Sequence, residues 1–69
     1  MIVETWVVLT LAEYQTLGRE SEDAPQGFTE ELYYPGRMAD LSLRRIRVGP
    51  QNDDATRERM KWIREVLHE

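Results

Sequence analysis

The sequence predicts a small α+β domain in which a C-terminal amphipathic helix packs on an antiparallel sheet. Three features lead to this prediction: a segment rich in β-branched residues near the N-terminus, a turn sequence at 34–37, and a C-terminal segment with helical spacing. The predicted element order is β-α-β-β-α in a single domain, residues 1–69, because a chain of this length has room for one small core. The alternative is an all-α helical hairpin that forms a dimer.

Residues 2–9 (IVETWVVL) are predicted to form the first strand. β-Branched and aromatic residues dominate the segment, which favours a strand that is central in its sheet and partly covered on both faces. Trp6 is therefore expected inside the core. The competing interpretation is a single helix over residues 5–17, whose apolar residues also share a face.

A short helix over 11–17 is predicted after this strand. Thr10 and Glu13 form a capping-box pattern, in which each side chain accepts a hydrogen bond from the other residue's N–H group. Gly18 stands where a left-handed residue would end the helix. Residues 19–27 (RESEDAPQG) are acidic and lack large apolar side chains, so we expect an exposed loop.

Residues 28–34 (FTEELYY) are compatible with a strand or with a helical turn, and we favour the strand because polar and apolar residues alternate. The sequence Tyr34-Pro35-Gly36-Arg37 is typical of a type II turn and would join two extended segments. Residues 41–48 (LSLRRIRV) are predicted to form the last strand. Their apolar alternation changes parity midway, which indicates a β-bulge near Arg44 and Arg45.

Residues 53–69 (DDATRERMKWIREVLHE) have the spacing of an amphipathic helix. Three apolar residues share the stripe that should face the core: Met60, Ile63 and Leu67. Trp62 and Val66 widen this apolar arc, and Arg59 lies within it. We interpret these three residues as a candidate contact surface, with Trp62 at the margin of the core. The competing interpretation is that a small fold simply buries its one long helix more deeply.

The charge composition argues against a general nucleic-acid binder, because the net charge is −4. The charge is unevenly divided: residues 1–36 carry seven acids and one base, whereas residues 37–69 carry eight bases and six acids. Without cysteine, a thin core has no disulfide, so we expect a homodimer to reinforce it. No secretory signal or membrane-spanning run is recognised, and we expect a cytoplasmic protein without membrane association.

Few residues could support catalysis. His68 is the sole histidine and lies next to the C-terminal residue, and neither Ser21 nor Ser42 lies in a nucleophile-elbow sequence. Three acidic pairs occur as neighbours in sequence, whereas a calcium loop alternates its ligands and turns at a glycine. We therefore predict a protein that is not an enzyme and that has no cofactor and no metal site.

Four of the arginines fall within eleven residues: Arg37, Arg44, Arg45 and Arg47. Guanidinium groups at this density could contact phosphates or an acidic protein groove. Strand alternation, however, should place Arg44 on the face opposite Arg45 and Arg47, unless the bulge redirects them. We favour the interpretation that these arginines pair with the acidic first half, within a subunit or across a dimer.

Aromatic residues and arginine are the types most enriched in binding hot spots, and this chain has several in candidate surface positions. The residues predicted to contact a partner or a second copy are Trp62, Val66, Arg59, Tyr33 and Tyr34. We predict a small non-enzymatic protein-binding module, a regulator or inhibitor of a larger macromolecule, of the kind that phages or mobile elements encode. The alternative is a nucleic-acid-binding regulator that uses an arginine-rich hairpin, Arg37 to Arg47.

Overall fold

A computed structural model describes residues 1–68 and shows an α+β fold with the element order β-α-α-β-α. The strands and helices are β1 (Glu4–Thr10), α1 (Leu11–Arg19), α2 (Thr29–Tyr33), β2 (Leu43–Pro50) and α3 (Asp54–Leu67). A 3-10 turn, Ser21–Asp23, lies between α1 and α2. The predicted α+β class is confirmed, and the C-terminal helix packs against the sheet as expected.

The capping box predicted at the start of α1 is confirmed. The Glu13 N–H donates to the Thr10 hydroxyl at 3.1 Å, and the Thr10 N–H donates to Glu13 Oε1 at 2.9 Å. The predicted helix end at Gly18 is wrong, because α1 continues to Arg19 and Gly18 does not adopt a positive φ.

The segment 28–34 contains helix α2 (Thr29–Tyr33) rather than the strand we favoured. Phe28 and Leu32 are both buried, whereas Glu30 and Tyr34 are exposed, so the burial follows helical spacing and not strand alternation. Consequently the sequence at 34–37 does not connect two strands. Instead, Gly36 forms an isolated antiparallel bridge with Arg45 in the middle of β2, and the predicted arginine-rich hairpin does not exist.

The sheet consists of β1 and β2 paired antiparallel. Its register shifts between Thr5 and Trp6, which pair with Gly49 and Arg47, so Val48 is the extra residue of a bulge. The bulge therefore lies nearer the end of β2 than predicted. The register is continuous at Arg44 and Arg45, so the parity change there is not a bulge: Leu43 has the outward parity of Arg45 and Arg47, whereas Ile46 faces the core.

β1 is an edge strand, and the prediction of a central strand covered on both faces is wrong. Within residues 1–68 the core covers one face of the sheet, so β1 buries only the side chains on that face and its burial alternates accordingly. Leu9 is buried and Val7 packs against the core, whereas Trp6 and Val8 face outwards. Trp6, which we expected inside, is 45% exposed.

The core lies between the inner face of the sheet and the helices. Its buried apolar residues are Leu9, Leu17, Phe28, Leu32, Ile46, Val48 and Ile63. α3 contributes Ile63 to this cluster, and Met60 and Leu67 pack against it, which confirms the predicted stripe. None of the helices within residues 1–68 has the length and apolar character needed to cross a bilayer.

Candidate protein-binding surface

The outward side chains of the two strands form one continuous face. We define this outer sheet face by four residues: Trp6, Val8, Arg45 and Arg47. In the antiparallel register Trp6 lies opposite Arg47, and Val8 lies opposite Arg45. Val8 is 51% exposed, so about half of each apolar side chain on this face contacts solvent.

Trp6 and Arg45 form a cation–π pair at the centre of the face. The Arg45 Cζ lies 4.5 Å from the centroid of the Trp6 ring. On its other side the guanidinium passes over Gly36, where a Cβ would stand 3.2 Å from Arg45 Nε. Within residues 1–68 no carboxylate forms an ion pair with Arg45. The guanidinium is therefore held in position by aromatic and backbone contacts while its charge remains uncompensated.

Arg47 has a different environment, because two carboxylates contact it. Its Nη1 lies 3.7 Å from Glu4 Oε1, and its Nη2 lies 3.2 Å from Glu31 Oε1. This arginine pairs with the acidic first half of the chain, as we favoured in the sequence. Half-exposed pairs of this kind contribute at most about 1 kcal/mol, so they neutralise the charge more than they stabilise the fold.

The remaining two arginines of the cluster lie elsewhere. Arg44 lies on the inner face of β2, opposite to the face of Arg45 and Arg47, as the strand alternation predicted. Its Nη1 donates to the carbonyl oxygens of Leu41 and Leu43. Arg37 and Arg44 line a cavity of about 300 Å³ beside Leu41. The four arginines are thus divided between the outer sheet face and this cavity, and they do not form a single patch.

The α3 residues that we predicted as a contact surface are engaged within the fold. Trp62 meets Phe28 edge-on, with ring centroids 6.1 Å apart, and Val66 packs against the core. The Arg59 Cζ lies 5.3 Å from the Phe28 ring, and its Nη1 donates to the Val48 carbonyl at 2.8 Å. Trp62 is at the margin of the core as expected, and these contacts favour the competing interpretation that the small fold buries its long helix more deeply. Contact with a partner stays a prediction for these three residues.

Tyr33 and Tyr34 are the most exposed of the predicted contact residues. They lie at the end of α2, where Tyr33 is 66% and Tyr34 is 78% exposed. Tyr34 stands two residues before Gly36, which bridges to Arg45 of the outer sheet face. The two tyrosines are therefore an exposed aromatic pair that is close in sequence to the Gly36 bridge.

A second basic surface lies along α3. Three of its cations, Arg57, Lys61 and Arg64, line a groove of about 460 Å³ together with Thr5, Gln51, Asn52, Thr56 and Met60. Arg57 is paired with Asp54 one turn earlier. Thr56 is buried, and among residues 1–68 its hydroxyl has no hydrogen-bond partner. None of the residues of the outer sheet face lines this groove.

A shifted carboxyl pKa occurs just before β2. The Ser42 hydroxyl and the Ser42 N–H both donate to Asp40 Oδ1, at 2.7 Å and 2.9 Å, and these hydrogen bonds lower the pKa of Asp40 below its ordinary value. The Asp40 carbonyl also accepts from the Leu43 N–H, so the pair closes the turn that leads into the strand. Among residues 1–68, no three His, Cys, Asp or Glu side chains are grouped so that they could hold a metal ion.

Trp6 and Val8 are the surface residues that sequence reasoning missed. The available signal was the alternation within β1. Leu9 directly precedes the Thr10 cap and faces the core. Val7 lies on the same face as Leu9, so Trp6 and Val8 lie on the opposite face. Comparison of the chain with protein-family models, with curated proteins and with solved structures finds no match.

Proposed function

We propose that the protein is a small non-enzymatic protein-binding module, a regulator or inhibitor of a larger protein, and that it binds through the outer sheet face. The observation that supports this proposal is the half-exposed Trp6 with Arg45 held against its ring. Tryptophan and arginine are the residue types that contribute most to hot spots at protein interfaces. Tyr34, two residues before Gly36 in sequence, is a further exposed aromatic residue.

The geometry of the pair favours binding over solvent exposure. Because Arg45 is already fixed between Trp6 and Gly36, a partner loses less side-chain entropy when it contacts the guanidinium. A carboxylate brought to this uncompensated cation would form a charge-assisted hydrogen bond in a partly desolvated site. Val8 and the uncovered part of the Trp6 ring would bury apolar area at the same time. We therefore expect a partner surface that combines acidic and apolar side chains.

The test compares variants of the outer sheet face with a variant of the α3 groove. Trp6→Ala removes the exposed ring, and Arg45→Gln removes the charge while it keeps most of the side-chain length. Arg64→Gln is the matched control, because it removes an exposed positive charge from the groove and leaves the outer sheet face unchanged. Each tagged protein is used to capture partners from the host extract, with quantification by mass spectrometry, and the affinity of the captured partner is then measured with purified components.

We expect one partner to be retained by the wild-type protein and by Arg64→Gln. Trp6→Ala should abolish capture, and Arg45→Gln should weaken the affinity by about tenfold or more, which corresponds to about 1.4 kcal/mol. Unchanged affinity in both outer-face variants would contradict the proposal, provided that circular dichroism shows both to be folded.

A nucleic-acid-binding regulator is the second candidate, and the observation in its favour is the α3 groove with Arg57, Lys61 and Arg64. The divided cluster at Arg37 to Arg47 gives less support than its sequence suggested, since Arg47 is already neutralised. Binding to random DNA or RNA that weakens with salt would support this candidate. Lys61→Glu with Arg64→Glu should then reduce the salt dependence, and absence of binding at low salt would exclude it.

A further inference from the structure

The main-chain groups of β1 that point away from β2 can be identified from the hydrogen bonds of β2. Both the N–H and the C=O of Arg45 form hydrogen bonds with Gly36. The Gly36 N–H donates to the Arg45 carbonyl at 2.6 Å, and the Arg45 N–H donates to the Gly36 carbonyl at 3.2 Å. Arg45 and its partner Val8 are therefore a non-hydrogen-bonded pair of the antiparallel ladder. The N–H and C=O of Val8 consequently point off the open edge of β1.

The same orientation holds for the other even-numbered residues of the strand. At one end of the ladder the Val3 carbonyl accepts from Gln51, and at the other end the Leu11 N–H donates to Ser42, so the bonded residues are odd-numbered at both ends. Glu4 and Trp6 thus present their N–H and C=O groups to the edge, like Val8. In the described part of the chain no further strand lies beside them.

Apart from the charge of Glu4 at its start, this edge lacks the features that usually prevent strands from pairing. Natural edge strands are commonly protected by lysine, by proline, by a bulge or by very short length. β1 has seven residues, ETWVVLT, without lysine or proline, and the extra residue of the sheet's bulge lies in β2. The segment before β1 is exposed and apolar at Ile2 and Val3, so the edge continues into a surface that also favours burial.

We propose that β1 pairs antiparallel with β1 of a second copy of this chain, which forms a four-stranded sheet across a two-fold axis. The inference does not rest on the proposed function, because it concerns the edge of the strand rather than the outer sheet face. Pairing centred on Trp6 uses the open groups of Glu4, Trp6 and Val8. It ends before Thr10, whose N–H already donates to Glu13.

Charge complementarity favours a second copy as the occupant. In the register centred on Trp6, Glu4 of the second copy lies opposite Val8, and Val8 lies opposite Arg45 in its own chain. Because paired residues project to the same face, the pairing adds the Glu4 carboxylate, which lies 3.7 Å from Arg47 Nη1 in its own chain, to the row that contains Arg45. Arg45 forms no ion pair within residues 1–68. The two outer sheet faces then become one continuous surface.

The test removes one edge N–H without removing a hydrogen bond between β1 and β2. Val8→Pro does this, because the Val8 N–H points away from β2, and Val8→Thr is the control that keeps both the N–H and a β-branched side chain. Mass is measured by sedimentation equilibrium from low micromolar to near-millimolar protein. We expect the wild type and Val8→Thr to reach twice the monomer mass, whereas Val8→Pro stays monomeric with an unchanged circular dichroism spectrum.

Hydrogen exchange in the wild-type protein gives a second readout that does not depend on whether Val8→Pro folds. The amides of Trp6 and Val8 should exchange about tenfold more slowly, or slower still, when the protein concentration is raised into the dimeric range, whereas those of Val7 and Leu9 should be protected throughout. A wild type that stays monomeric at every concentration would overturn the proposal. Fast exchange of Trp6 and Val8 at the highest concentration, or a Val8→Pro dimer as tight as that of Val8→Thr, would overturn it as well.

Discussion

Replacement of the two tryptophans by alanine should have unequal effects on stability. Trp62 packs edge-on against the buried Phe28 at the margin of the core, whereas Trp6 lies on the outer sheet face and contacts Arg45. We expect Trp62→Ala to lower the free energy of unfolding by about 3 kcal/mol. Trp6→Ala should lower it by about 1 kcal/mol or less, because much of that ring is already solvated.

The larger value follows from what the Trp62 side chain contacts. Removal of a buried tryptophan usually costs about 3–5 kcal/mol, and Trp62 belongs at the lower end because it is only partly buried. The lost edge-to-face contact with Phe28 accounts for roughly 0.5–1.5 kcal/mol of this. A chain of this length is expected to be stable by roughly 3–10 kcal/mol in total. The midpoint of thermal unfolding should therefore fall by roughly 12–24 °C in Trp62→Ala and by roughly 4–8 °C in Trp6→Ala.

Thermal and urea unfolding followed by far-UV circular dichroism measures both changes, at concentrations where the protein is monomeric. Each variant retains one tryptophan, so its fluorescence reports a single site. In Trp6→Ala the emission of Trp62 should be blue-shifted and should move to the red on unfolding, whereas in Trp62→Ala the emission of Trp6 should change little. Equal losses of stability, or a greater loss in Trp6→Ala, would refute the assignment of Trp62 to the core and Trp6 to the surface.

Two further predictions concern the ends of β2. Gly49 has a φ of 145°, and a Cβ there would lie 2.5 Å from the Thr56 hydroxyl, so Gly49→Ala should destabilise the protein by roughly 3 kcal/mol in urea unfolding. Thr56→Ala should recover roughly 1–2 kcal/mol of this in the double variant, and additive effects would contradict the steric cause. At the other end, the Ser42 hydrogen bonds lower the pKa of Asp40. They therefore stabilise the folded protein fully at a pH above the ordinary aspartate pKa, and this stabilisation is lost as the pH falls through the lowered pKa of Asp40. An NMR titration should show the pKa of Asp40 rising in Ser42→Ala, and an unchanged value would refute this cause.

The elements that local patterns define could be predicted from the sequence. Helix α3 could be predicted from the stripe of Met60, Ile63 and Leu67, because the stripe has the period of a helix and its residues face the core. The Thr10 and Glu13 pair determined the start of α1, because the capping box needs only neighbouring residues. Such features depend on interactions within one or two turns, which a single sequence contains in full.

The errors in the sheet topology originate in the segment 28–34. Its strand and helix patterns both place Phe28 and Leu32 on one side, so periodicity alone could not distinguish them. Once this segment is a helix, the sheet loses a strand and β1 becomes an edge. The core of the described residues covers one face of this sheet, so Trp6 on the other face is exposed. The outer sheet face was missed for this reason. The pairing of Trp6 with Arg45 depends on a register between distant segments, which local patterns do not specify.

The pairing of β1 with β2 also has a consequence for how the chain folds. Residues 11–42, with α1 and α2 among them, separate the two strands, so no tight turn can bring the strands together. Closing a flexible segment of that length costs roughly 3 kcal/mol of chain entropy before the ladder compensates for it. Local contacts around Leu17 and Leu32 shorten the effective loop if they form first. Folding should therefore be slower than in a helical bundle of equal size, with docking of β1 as the late, rate-limiting step.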